Sequence, residues 1–182
     1  MQERQGEEYR TLRAEIDRNS QITTTVFLAT ITVTSALIGY GLSSELGPIF
    51  LSPFAIIIPS LFFITSQLES TTRIGAYIMA FLEADSEGLN WQTRWFEIRR
   101  RNLLPHRRKY TFSLSGLYIA LSVVCIMLAG FYWDTEWWIF GATVAPIIFI
   151  VSLGVFYLRR AFSFPFCKQY IDAWIKMKQD EK

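Results

Sequence analysis

Nothing ionisable falls within four long stretches of this chain. Asp, Glu, Lys, Arg and His are all absent from Ile22 to Leu42, Leu46 to Ser66, Thr111 to Tyr132 and Trp137 to Leu158. That absence argues against a proton pump, a voltage sensor or an ion-coupled carrier, since those proteins set ionisable groups inside the bilayer, where desolvation makes such groups costly and functional. Histidine is nearly missing too. The single one, His106, sits between Pro105 and Arg107 and reads as a solvated loop residue. With no metal-ligand cluster, phosphate-binding loop or nucleophile elbow, the chain carries no recognisable enzyme chemistry, metal site or cofactor site. Cysteine is scarce as well. Cys125 lies within the third stretch and Cys167 near the C-terminus, about half a membrane apart and in an expected reducing compartment, so no disulfide is expected.

What the chain has instead is apolar length. At about 1.5 Å of rise per residue, roughly 20 apolar residues cross a hydrocarbon core about 30 Å thick, and each stretch is long enough. Residues of hydrophobic type make up 51% of the 182, and nearly half the chain is span, which leaves no room for a separate soluble catalytic domain. The fold class expected is all-α: an integral membrane protein with four transmembrane helices and amphipathic helices on the cytoplasmic side.

The bases are all on one side of those spans. Arg4, Arg10, Arg13 and Arg18 precede the first span; eight bases from Arg73 to Lys109 lie between the second and third; six from Arg159 to Lys182 follow the fourth. The two short connections hold only Glu45, Asp134 and Glu136. Setting those three acids aside leaves 13 against 18 bases, so one face nets +5 where the whole chain nets +2. The positive-inside rule then places both termini and the middle segment in the cytoplasm of an inner-membrane protein. Met1 to Ser20 mixes acids with bases, unlike the n-region of a cleaved signal peptide, so the first span is expected to be retained. The division expected is a cytoplasmic N-terminal helix (1–21), a first hairpin (22–66), a cytoplasmic helical segment (67–110), a second hairpin (111–158) and a cytoplasmic C-terminal helix (159–182).

Local patterns refine this. Glu7 to Ile38 has neither Pro nor Gly, so the first span should continue the helix that carries Tyr9, Leu12 and Ile16. Span two is punctuated by Pro48, Pro53 and Pro59; Ser52 resembles an N-cap before Pro53, and Pro59 suggests a bend. Ile74, Tyr77, Ile78, Phe81 and Leu82 have amphipathic helical spacing, with Gly88 and Leu89 as a stop. Asn90 can cap a second helix bearing Trp91, Trp95 and Ile98, which Pro105 ends. The tail offers Cys167, Tyr170, Ile171, Trp174 and Ile175. Tyr77 to Leu82 matches Tyr170 to Ile175, and Glu15-Ile16 matches Glu97-Ile98, which allows two parallel helix-hairpin repeats.

Three residue sets are candidates for function. Thr25, Ala29, Thr32, Ala36 and Gly39 advance by four and three along span one, a small-residue stripe that permits close helix contact within the chain or between copies. Gly116 with Ala120 and Gly141 with Ala145 offer similar surfaces. Thr23, Thr30 and Thr34 share another part of that span and suit either a polar path through an oligomer or hydrogen bonds to the carbonyl one turn back. Trp91, Trp95, Arg99, Arg100, Arg101, Arg107, Arg108 and Lys109 suit topology anchoring, contact with anionic lipid, or a phosphorylated or nucleotide signal; nothing points directly to nucleic acid. Tyr77, Phe81, Tyr170 and Trp174 are candidates for coupling to a cytoplasmic protein. Tyr132, Trp133, Trp137 and Trp138 form an aromatic belt at the opposite membrane face.

The run Arg73-Ile74-Gly75-Ala76-Tyr77-Ile78, the later Leu89-Asn90-Trp91 and the N-terminal Tyr9-Arg10-Thr11-Leu12-Arg13-Ala14-Glu15-Ile16 resemble poorly characterised small bacterial membrane proteins. The outline is also similar to the compact membrane effectors of antiphage defence systems. The second resemblance covers architecture and no residue motif. It implies a homo-oligomer that permeabilises the inner membrane when a cytoplasmic partner or signal releases it. The alternative expectation is a non-conducting membrane scaffold or sensor subunit that recruits a cytoplasmic partner.

Overall fold

The structure, a computed structural model, describes residues 2–84, 90–100, 105–134, 136–161 and 164–180. Among them the chain is all-helical. Helix α1 runs unbroken from Gln2 to Ser44, and α2 from Phe54 to Tyr77. Helices α3 (Trp91–Arg100), α4 (Pro105–Phe131), α5 (Trp137–Ala161) and α6 (Phe164–Asp180) follow. Four helical segments are long and apolar enough to cross a membrane: Gln5–Ser44, Gly47–Glu83, Leu114–Phe131 and Trp137–Ala161.

The chain divides into two compact units. Unit 1 comprises Met1–Ile22, Ser66–Tyr110 and Arg160–Lys182; unit 2 comprises Thr23–Thr65 and Thr111–Arg159.

Unit 2 holds the apolar cores of all four long segments. α1 ends where Glu45 takes a left-handed conformation (φ 55°) and donates its N–H to the Gly41 carbonyl at 3.0 Å. A 3-10 turn, Gly47–Leu51, with Pro48 near its start leads towards α2, and it turns Phe50 wholly inward. Phe50 stacks on Tyr132 with ring centroids 5.5 Å apart. Two glycines make these close approaches feasible. A Cβ on Gly41 would meet the Phe50 ring at 2.8 Å, and one on Gly47 would meet the Tyr132 carbonyl oxygen at 2.5 Å. Ser52 and Pro53 act through their carbonyls, which accept from Ala55 and from Ile56 and Ile57 to wind the first turn of α2. Ile57, Leu61, Ile64, Cys125 and Leu158 are completely buried. A polar contact crosses that core: the hydroxyls of Ser60 on α2 and Tyr118 on α4 are 3.1 Å apart, so each has a partner in the interior. At the far end Trp137 and Trp138 are exposed, and Trp138 Nε1 donates to the Glu136 carboxylate.

Unit 1 departs from the sequence reading in three places. The stretch 74–82 does not form a helix of its own: α2 carries on to Tyr77 and then widens into a π-helix, Ile78–Glu83. Because a π turn bonds i to i+5, it shifts which side chains point inward. Ala80 and Glu83 join Ile78 and Leu82 in the interior, whereas Tyr77 and Phe81 are only half-buried. Second, Pro105 opens α4, the first-turn position where its missing N–H leaves no bond unmade. His106 therefore belongs to a helix and not to a loop. Third, the start of α3 is capped by a distant acid, described below. The proposed stop at Gly88 and Leu89 lies outside the described residues.

Candidate functional site

The small-residue stripe of span one lies on the outside. Thr25, Ala29, Thr32, Ala36 and Gly39 are all exposed along α1. A Cβ added at Gly39 would meet nothing within 4 Å. The second set, Thr23, Thr30 and Thr34, is buried at 9%, 2% and 0% exposure. The two sets begin two residues apart, about 200° around a helix with 3.6 residues per turn, so they occupy opposed faces. One face of α1 is committed to the interior of unit 2 and the other is not. Hydroxyls on both faces turn back on the helix: Thr30 Oγ1 donates to the Val26 carbonyl at 2.8 Å and Thr32 Oγ1 to the Leu28 carbonyl at 3.0 Å. Thr34 Oγ1 is buried without a hydrogen-bond partner.

Outward small surfaces recur on the other helices of the unit. Gly141 and Ala145 on α5 are exposed, as is Ala120 on α4, and a Cβ on Gly116 or Gly141 would meet nothing within 4 Å. Helices in lipid associate through close backbone approach, because the surrounding chains are as apolar as their own side chains. Surfaces of this kind allow such an approach, and the described chain leaves them vacant.

Unit 1 contains the polar chemistry. Glu83 is 3% exposed, and its carboxylate accepts from the backbone N–H of Gln92 and of Thr93 and from Thr93 Oγ1, each at 2.7 Å. Those two N–H groups are among the first four of α3, which have no partner within their helix. A carboxylate there also faces the positive end of the helix dipole. Asn90 holds the N-cap position, where its carbonyl accepts from Arg94 N–H at 2.9 Å. Glu83 thus does the work expected of the Asn90 side chain, and the π-helix is what turns it inward. Beside this cap is a cavity of about 180 Å³ whose walls include Ile16, Gly75, Trp91, Gln92, Trp95 and Cys167. Gly75 admits the Gln92 amide, since a Cβ there would meet Nε2 at 2.4 Å. Trp91 and Trp95 stack with centroids 6.0 Å apart, and the Arg13 guanidinium lies 3.8 Å from the centre of the Trp91 ring. Such a cation–π contact contributes about 0.5–1 kcal/mol at an exposed site.

Three of the aromatic residues expected to couple to a partner, Tyr77, Phe81 and Trp174, pack on one another. Tyr77 stacks on Phe81 at 5.0 Å, and Trp174 sets its edge against both, at 5.4 and 6.0 Å. Tyr77 Oη donates to Glu8 at 2.8 Å, and Tyr170 Oη donates to Glu69. Desolvation, then the hydrogen bond to and the charge of Glu69, push the Tyr170 hydroxyl above the ordinary 10.0, and Arg73 opposes the shift. Lys178 Nζ donates to the Ala80 carbonyl at 2.9 Å, tying α6 to the π-helix, and lies 5.6 Å from the Phe81 ring centre.

The structure brings Trp91 and Trp95 together and adds Arg13 to them. Arg99, Arg100, Arg101, Arg107, Arg108 and Lys109 lie outside the residues whose side chains are described. Glu83, Gln92, Gly75 and Arg13 were missed by the sequence reading; Asp85 and Glu87 lie nearer the start of α3 in the sequence, so spacing does not single Glu83 out. Comparison with protein families, curated proteins and solved structures found no match to this chain.

Proposed function

We propose that the chain is a multi-pass inner-membrane protein, with both termini in the cytoplasm, that assembles with copies of itself through the small face of α1 and there forms or gates an ion path. The observation that carries this reading is the exposure of all five residues from Thr25 to Gly39. Burial supports it. Only 11% of the apolar window of Gln5–Ser44 is buried inside the chain, against 39% for Gly47–Glu83. α1 is the least enclosed of the four long segments, and it presents the surface best suited to another helix.

A seam through Thr25 and Thr32 sets hydroxyls and backbone near an axis between copies, and neutral groups of that kind can replace part of an ion's hydration shell. Thr23, Thr30 and Thr34 belong to the interior of unit 2 and take no part in such a path. The net positive charge of the cytoplasmic segments favours anionic lipid around them. In the role implied by the resemblance to defence effectors, a cytoplasmic protein or nucleotide signal acting on unit 1 releases the path.

Particle mass and conductance test the reading together. Purified wild-type chain is expected to be larger than a dimer in detergent and to conduct in a reconstituted bilayer, and Ala36→Leu or Gly39→Leu to reduce it to a monomer without conductance. A wild-type monomer, silent in the bilayer, removes the channel and leaves a scaffold that recruits a soluble partner.

A further inference from the structure

We propose that the groove between α4 and α5 is a binding site for an anionic phospholipid, with one acyl chain in the groove and the phosphate held by Arg159. The groove is about 440 Å³, within the ~300–1,000 Å³ range of small-molecule sites. Ile119, Val123 and Met127 form its wall on α4, at i, i+4 and i+8, and Val151 and Val155 form the facing row on α5. Two serines are its polar lining residues, and the Ser122 hydroxyl is spent on the Tyr118 carbonyl at 2.8 Å. A ligand there has nothing to hydrogen-bond along most of its length. The same α5 row, Val151 to Val155, reaches Arg159 after one more turn, and Arg159 is exposed. An apolar slot that ends one helical turn from an exposed arginine has the polarity of a phospholipid: hydrocarbon along the slot, an anion at its end.

The walls distinguish lipid from a second helix. The rim carries large side chains, with Val123 47% and Met127 69% exposed, and these hold another backbone away, whereas the α1 stripe from Thr25 to Gly39 is built of small residues. A flexible hydrocarbon chain fills an irregular slot lined by Val, Ile and a mobile Met. Arg159 also belongs to the face that bears all the bases, where anionic lipid is concentrated. The inference rests on the membrane reading and not on the assembly.

Native mass spectrometry of the full chain released from detergent, with phosphatidylglycerol and phosphatidylcholine of identical acyl chains as probes, tests the site. Wild type is expected to retain phosphatidylglycerol about fivefold more tightly, the preference one base confers near an anionic headgroup. Arg159→Gln should remove the preference while a lipid is still retained. Val123→Trp should fill the slot and lose both lipids, and Met127→Trp, on the more exposed rim, does the same should Val123→Trp fold poorly. Equal retention of the two lipids by wild type overturns the proposal, as does full retention by both tryptophan variants. A tryptophan variant that lowers the particle mass also overturns it, because the slot is then occupied by another copy. Particle mass is read in the same spectrum, so a monomer that retains lipid selectively upholds the site while refuting the assembly.

Discussion

Replacing Glu83 with alanine should unfasten α3 from the π-helix. The carboxylate takes two backbone N–H groups and one hydroxyl, and the residue is only 3% exposed. Loss of a helix cap costs about 0.5–2 kcal/mol, and loss of a negative charge at the helix start about 0.3–1 kcal/mol more. Donors left without partners in a buried setting cost about 1–3 kcal/mol each, but the start of α3 is partly open and water can reach it, so the lower end applies. A net loss of about 2–3 kcal/mol follows, which at 1.36 kcal/mol per decade is roughly 30- to 150-fold in the local opening equilibrium. Amide hydrogen exchange of Gln92 and Thr93 reads that equilibrium directly. Exchange should speed up by that factor in Glu83→Ala, while amides in the middle of α5 keep their wild-type rates. Glu83→Gln should fall between, because its NH2 group faces donors. Unchanged exchange at Gln92 and Thr93 in Glu83→Ala would refute the assignment of Glu83 as the cap.

Gly47→Ala should destabilise the detergent-solubilised protein by about 1–3 kcal/mol, because its Cβ would meet the Tyr132 carbonyl oxygen, a backbone atom with little freedom to retreat. Thermal unfolding followed by helical circular dichroism checks it. Glu45→Gly should act in the opposite sense, gaining about 1 kcal/mol by removing the strain of a side chain at φ 55°. Tyr170 gives a pH dependence. Its hydroxyl is held above 10.0, so the native state favours the neutral phenol: the contribution to stability is complete below about pH 10 and is lost as pH rises through the folded value. Tyr170→Phe should abolish that alkaline loss, as measured by unfolding midpoints between pH 9 and 11.

Much of the frame is legible in particular residues. The unbroken α1 follows from a run, Glu7 to Ile38, that has neither Pro nor Gly, and four helices of spanning length follow from four uncharged stretches. The π-helix was not legible, since Ile74, Tyr77, Ile78, Phe81 and Leu82 fit an ordinary amphipathic helix equally well and nothing in a 3.6-residue pattern announces a wider turn. The Glu83 cap depends on that turn and was hidden with it. Pro105 shows a different ambiguity: proline both ends a preceding helix and suits the first turn of the next, and spacing alone does not decide between them. The stripe on α1 was visible residue by residue, but which way it faces depends on where α2 and α4 pack, information held by Phe50, Ser60 and Tyr118 far along the chain.

The claim that copies meet across α1 is tested most directly by disulfide trapping in native membranes. With Cys125 and Cys167 replaced by serine, single cysteines are placed at Ala36, on the exposed face, and at Thr34, on the buried one. The account predicts that mild oxidation links two chains through Ala36→Cys and not through Thr34→Cys. Chains that stay single with Ala36→Cys, or that link equally through both positions, would contradict it.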